Sequence, residues 1–156
     1  MSKHVLAAAA VFSLLCACSH SRTITTQDGS VSVADGKDGS SSIHAVGKDG
    51  SSMDLNTGKP ITDYPGDVPL YSGKSVMDMK SGEKNARVVV LQTPDSLDKV
   101  GGFYKSQFDS QGWKTETSIN TDKMVMYKAS KDNRVLVVQI GADSGKTSIS
   151  QTLADK

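Results

Sequence analysis

Cysteine and histidine offer a small chain its readiest chemistry, and here both are confined to its beginning. The 156 residues include Cys16 and Cys18, and His4, His20 and His44, while residues 60–156 contain neither type. Zinc sites, Ser-His and Cys-His nucleophile pairs and histidine general bases are therefore excluded from that segment. Carboxylates and lysines remain, but Glu83, Asp95 and Asp98 show no partner for acid–base work. The run Gly141-Ala142-Asp143-Ser144-Gly145-Lys146-Thr147 looks at first like a phosphate-binding loop. It has three residues between its glycines where that motif needs four. The alternation from Thr147 to Leu153 also reads as a strand, not the helix whose amides would converge on a phosphate. A hairpin turn and no nucleotide is the expectation. Asp35 and Asp38 are three apart with no Glu before Glu83, so the Asp-rich stretch does not follow a calcium loop. No catalytic residue, metal ligand or cofactor is expected, and the chain reads as a non-enzyme.

The cysteines point instead to an address. Lys3 is the sole fixed charge in the first seventeen residues, and residues 5–15 are apolar apart from Ser13. A basic start, a short apolar core and a small-residue exit describe a secretory signal peptide over residues 1–17. Leu15-Cys16-Ala17-Cys18 resembles the lipobox of bacterial lipoproteins, with Cys16 standing where Ala or Ser is usual. The resemblance implies that Cys18 is diacylated and becomes the first residue. By the sorting habit of enteric lipoproteins, Ser19 implies the periplasmic side of the outer membrane, with the cell surface as the alternative. Cleavage leaves 17 basic residues, the 18 Lys and Arg less Lys3, against 17 Asp and Glu. A neutral, evenly mixed chain lacks the phosphate-neutralising charge from which nucleic-acid binding draws its affinity.

Two segments follow. In residues 18–59, Lys37-Asp38-Gly39-Ser40 recurs as Lys48-Asp49-Gly50-Ser51, preceded by Gln27-Asp28-Gly29-Ser30. Asp-Gly favours two-residue hairpin turns, and alternating pieces such as Val31-Ser32-Val33 and Met53-Asp54-Leu55 suit weak strands. A flexible tether and a weak three-stranded meander both fit. Pro60, Pro65 and Pro69 then mark an extended connector. In residues 60–156 alternation around Met77 and Met79 and the run Val88-Val89-Val90-Leu91 predict two strands. Thr93-Pro94-Asp95-Ser96 predicts a helix start, with Thr93 as cap. Leu97, Val100, Gly101, Tyr104 and Phe108 make one stripe, and Gly112 closes the helix. Four more strands follow. The expected class is α+β: an antiparallel sheet of about five or six strands with one helix packed on one face, after a Gly/Ser/Asp-rich segment with possible hairpins.

Tyr104, Phe108, Trp113 and Tyr127 cluster around the helix and the strand after it. Core is the favoured reading; a groove between helix and sheet that accepts a lipid chain, glycan or peptide is the other. Phe103 lies off the stripe and is the better exposed contact residue. Met77, Met79, Met124 and Met126 are expected in the core, though two pairs on adjacent strands would line a soft pocket.

Tyr64-Pro65-Gly66, Thr93-Pro94-Asp95-Ser96, Phe103-Tyr104 and Gly112-Trp113 together resemble a loosely defined group of small bacterial envelope lipoproteins. A fainter similarity, of architecture alone, is to helix-on-sheet accessory lipoproteins of outer-membrane protein assembly. These resemblances bring no catalytic residues. They imply a non-enzymatic, lipid-anchored module whose partners are the membrane, through Cys18, and another envelope protein. The contact residues would be Phe103, Tyr104, Phe108 and Trp113. A small-molecule or lipid carrier using the groove under Tyr104 and Phe108 is the alternative.

Overall fold

A computed structural model describes residues 21–156 of the chain. The signal peptide and Cys18 lie outside the described residues. Ten strands form one antiparallel sheet: β1 (Ser21–Thr26), β2 (Gly29–Asp35), β3 (Ser41–Gly47), β4 (Ser52–Thr57), β5 (Lys74–Ser81), β6 (Arg87–Thr93), β7 (Lys114–Asn120), β8 (Met124–Lys131), β9 (Arg134–Asp143) and β10 (Lys146–Asp155). Their spatial order is β1-β2-β3-β4-β5-β6-β10-β9-β8-β7. The helix α1 (Leu97–Gln111) carries the chain from β6 over to the far edge at β7, and the last four strands step back to pair with β6.

The expected α+β domain with a five- or six-stranded sheet is thereby overturned. Of the described residues 56% are strand and 13% helix, and the repeat segment extends the same sheet instead of preceding it. The reason lies in the ladder. β5 has a free side away from β6, and on it Leu55 falls opposite Met79, which itself falls opposite Val88. Each strand toward β1 adds to that row, with Val33 opposite Ile43 and Ile43 opposite Leu55.

The eleven-residue repeat encodes turns. Asp38 Oδ1 accepts from the Ser40 amide at 3.1 Å and the Ser40 hydroxyl at 2.6 Å, and Asp49 does the same with Ser51 at 3.0 and 2.6 Å. The Gly36 amide donates to Ser40 O, and Gly47 to Ser51 O, so these loops hold three residues where Asp-Gly alone predicts two. A Cβ on Gly36 or Gly47 would collide with the Asp and Ser side chains that close each loop.

The core lies on one face of β6, β10, β9 and β8. Val89, Leu91, Ile149, Leu136, Val138, Ile140 and Val125 point there and are buried. Helix α1 covers them with Val100, Tyr104 and Phe108, all fully buried. Its cap is Ser96, whose hydroxyl accepts from the Lys99 amide at 3.3 Å, not Thr93. Thr93 stays paired with Thr147 as the last residue of β6. Gly112 adopts the left-handed conformation at φ 75° and ends the helix.

The helix covers only part of this face; residues 61–73 cover the rest as an irregular strap. Val68 and Tyr71 are buried, with Ile61, Tyr64 and Leu70 packed against the core. Three buried polar groups fasten the strap. The Gln151 amide donates to Tyr64 OH at 2.6 Å and Pro69 O at 2.7 Å, while its Oε1 accepts from Tyr104 OH at 2.8 Å. Arg87 pairs with Asp78 through two bonds of 2.8 and 2.7 Å and donates to the carbonyls of Asp63 and Thr62. Trp113 Nε1 donates to Asp67 O at 2.7 Å.

Two substitutions test this packing. Gly102 sits mid-helix, and a methyl group added to its Cα would meet nothing within 4 Å. Gly102→Ala should therefore stabilise the domain by about 0.4–1 kcal/mol, read as a raised melting temperature. Gln151→Leu should leave Tyr104, Tyr64 and Pro69 without their partner. The cost is at least about 1–3 kcal/mol in a denaturant titration.

Candidate functional site

The helix–sheet groove is filled. Tyr104 and Phe108 are fully buried and Trp113 is 3% exposed. A chain of rings runs from Tyr71 through Phe103, Tyr104 and Phe108 to Tyr127, with centroids 4.9–6.0 Å apart. Gly101 brings the helix against Val125, and Tyr127 OH donates to Gly101 O at 3.2 Å. The methionines are neither the core residues expected nor the walls of the alternative soft pocket. Met124 is exposed and Met77, Met79 and Met126 are half-buried. Met77 and Met79 on β5 are separated from Met124 and Met126 on β8 by β6, β10 and β9. The phosphate-loop look-alike is the β9–β10 turn, with Ser144 and Gly145 at positive φ.

Open space lies instead on either side of the last turn of the strap. One hollow of about 420 Å³ is lined by Gly58, Lys59, Pro60, Ile61, Leu91 and residues 70–75. A second, of about 630 Å³, is lined by residues 71–74, residues 92–95, Lys99 and Phe103. They share residues 71–74, so this segment is the partition between them. Phe103, half-buried on the helix, forms a wall of the larger hollow and holds Tyr71 edge-on at 4.9 Å.

A polar clasp fixes the partition. Tyr71 OH donates to Asp95 Oδ2 at 2.6 Å, and Lys99 Nζ bonds Asp95 Oδ1 at 2.7 Å. Asp95 O accepts from the Thr147 hydroxyl at 2.6 Å, tying the clasp to β10. Lys99 and then Tyr71 hold the Asp95 carboxyl below its ordinary range, while the same Asp95 bond pushes the Tyr71 hydroxyl up. In the smaller hollow, the Ser75 hydroxyl is buried without a hydrogen-bond partner. It stands at the β-bulge of β5, opposite Leu91. This arrangement combines apolar walls (Ile61, Leu70, Leu91, Phe103) with lysines at the rim and one unsatisfied hydroxyl. It suits a small amphipathic molecule better than a bond-breaking reaction.

Of the residues expected at a contact site, only Phe103 lines a hollow. Tyr104, Phe108 and Trp113 are core. Tyr71, Ser75 and Lys74 were missed: the strap reads as a proline-rich connector, and a bulge leaves no signal in an alternating strand. A second cluster also escapes the sequence. Ser32, His44 and Asp54 stand side by side in register, with His44 Nδ1 2.5 Å from Asp54 Oδ1. Ser32 Oγ is hydrogen-bonded to Thr23 Oγ1 at 2.9 Å, and the row lies open on a flat face.

A family model described as START domain-like matches residues 74–147. That is less than half of the chain, from β5 to the start of β10, and includes the helix and most of the sheet it covers. No curated protein and no solved structure matches the chain. The match points coarsely to a ligand-binding module in which sheet and helix grip one another.

The Asp95 shift carries a pH dependence. A carboxyl whose folded pKa is lowered contributes stability above its unfolded value and loses it as pH falls through the folded one. The clasp should therefore hold at neutral pH and open on acidification below the usual carboxylate range. Tyr71 fluorescence or proteolytic cutting near residue 72 would follow the opening. In Asp95→Asn the same signal should already be partly open at pH 7 and respond less to acid.

Proposed function

We propose that the chain is a non-enzymatic binding module, held to a cell-envelope membrane through Cys18, that takes a small amphipathic ligand beside the Tyr71 partition. The observation that carries the ligand reading is the buried, unpartnered Ser75 hydroxyl beside a hollow whose lining combines Ile61, Leu70 and Leu91 with Lys59, Ser72 and Lys74. A buried hydroxyl without a bond costs about 1–3 kcal/mol, which a ligand group would recover. The START-like match supports the same class. The site differs from the carrier groove expected under Tyr104 and Phe108, whose space is taken by their own rings. Anchoring is supported by the Leu15-Cys16-Ala17-Cys18 pattern after its apolar run. It would place the module on the periplasmic side of the outer membrane, where another envelope protein can deliver or receive the ligand.

Two experiments test this reading. 1-Anilinonaphthalene-8-sulfonate has an apolar body and one anionic group, and should bind saturably with a blue shift. Lys74→Glu, at an exposed residue shared by both hollows, should weaken it about tenfold, roughly 1.4 kcal/mol. Unchanged binding in both Lys74→Glu and Phe103→Ala would remove the site. For the anchor, Cys18→Ser should abolish incorporation of acyl label; loss of label from Cys16→Ser alone would move the lipidation site.

A further inference from the structure

The two faces of the sheet are not alike, and their character exchanges along it. From β6 to β8 the apolar side chains point toward helix and strap. In β1–β4 the polarity is reversed. On the helix side, Thr23, Ser32, His44, Asp54 and Lys80 form one cross-strand row. On the other side, Ile24 stands opposite Val31, Val31 opposite Ala45 and Ala45 opposite Met53, beside the row from Val33 through Ile43 and Leu55 to Met79. Nothing in the described chain covers these rows: Ile24 is 67% exposed, Val31 41% and Met53 38%. A trough of about 360 Å³ on this face is lined by Arg22, Ile24, Val31, Val33 and Asp35. Within β1–β4 the charged residues on this face are Arg22 and Asp35, at the end where β1 begins.

We infer that this face of β1–β4 rests on the surface of the lipid bilayer that holds Cys18. Chain length carries the inference, together with the confinement of charge on the face to Arg22 and Asp35 at one end. β1 starts at Ser21, three residues after Cys18, so covalent reach places the first strand within about 11 Å of the acylated residue. Of the tether and the meander that the Gly/Ser/Asp composition left open, residues 21–57 take up strands β1–β4, so they supply no long flexible tether. An anchor so short converts contact between face and bilayer into an intramolecular event at high effective concentration, and a modest apolar surface then suffices as a second membrane signal. A second copy of the chain fits less well. Four strands spaced ~4.8 Å apart and about 20 Å long offer on the order of 400 Å². Two such faces would bury about 800 Å² in total, below the ~1,200–2,000 Å² of a stable interface.

The inference rests on acylation at Cys18, and the test separates the two. After processing, an introduced cysteine is the only free thiol. Full-length acylated Val31→Cys, Met53→Cys, Ser32→Cys and Ser52→Cys would each carry a solvatochromic dye and be mixed with phosphatidylcholine vesicles containing nitroxide-labelled lipid. Dyes at 31 and 53 should shift to the blue and be quenched several-fold more than dyes at 32 and 52. Equal, water-like signals on both faces of protein that floats with the vesicles would overturn the bilayer contact while leaving the anchor intact. Failure to float would overturn the anchor and the contact with it. A blue shift at 31 and 53 that needs no vesicles and grows with protein concentration would assign the face to a second copy, and overturn the bilayer contact equally.

Discussion

Strand β6 is the constraint on which everything else depends, because it is apolar on both sides. Val89 and Leu91 face the helix and strap, while Val88 and Val90 face the opposite way, in register with Met79 and Met77. A strand of this kind can join two sheets of opposite polarity without breaking the ladder. On one side of it β10-β9-β8 bury their apolar residues under cover; on the other, β5 back to β1 present theirs on the reverse face. The hydrogen-bond ladder is continuous, but the hydrophobic effect acts on it from two directions. Removing the two-sidedness of β6 would take from Met77 and Met79 the apolar neighbours that link the reverse-face rows to the rest of the sheet.

Cover on the helix side comes from an unusual source. A single helix about 10 Å wide cannot cover strands of up to ten residues, roughly 33 Å long, so residues 61–73 complete the layer without regular structure. Irregular backbone brought over a core must have its polar groups satisfied by something other than a ladder. Gln151, Arg87 and Trp113 supply those partners from the sheet itself. Asp67 adds an ionic fastening at the surface, where Arg134 and Lys131 hold its carboxyl well below the usual range. The Arg87–Asp78 pair is nearly fully buried, and its remaining donors go to strap carbonyls, which is the condition under which a buried pair is tolerated.

This division explains what the sequence could show. The Val88–Leu91 run marks β6 as a strand with two apolar faces, and the Leu97, Val100, Tyr104, Phe108 spacing marks the helix stripe, because both are local periodicities. Gly112 was legible for the same reason. Whether the glycine-rich repeats would join the sheet was not, since that depends on Leu55 meeting Met79 across a sixteen-residue connection. The α+β expectation failed there, at a pairing no local pattern encodes. The candidate site was hidden for a related reason: Tyr71 and Ser75 acquire meaning only once the strap lies beside Phe103 and a bulge turns Ser75 toward Leu91. Trp113 reads as core and is buried, but the Asp67 carbonyl that accepts its indole N–H is a partner no local pattern encodes.

Strand register brings the two proposals to the same end of the molecule. Ser21 pairs with Ala34, Asp35 with Ser41, Ser41 with Thr57, and Lys74 with Gln92. The start of β1, the loop around Asp38, the approach to Gly58 and the mouths of both hollows therefore lie along one rim of the sheet. With the first strand starting at that rim, a face resting on lipid would leave the Tyr71 partition about four strand spacings, or roughly 19 Å, from that strand, on the opposite side of the sheet. A ligand taken from the bilayer would have to pass around the rim rather than through the core, across Lys59 and Lys74 and against the Asp95 clasp. The clasp is then the natural place for access to be controlled. Opening it breaks the Tyr71–Asp95 and Lys99–Asp95 bonds at the surface while the Gln151 network keeps the rest of the strap in place, so the partition can move without unfolding the layer it belongs to.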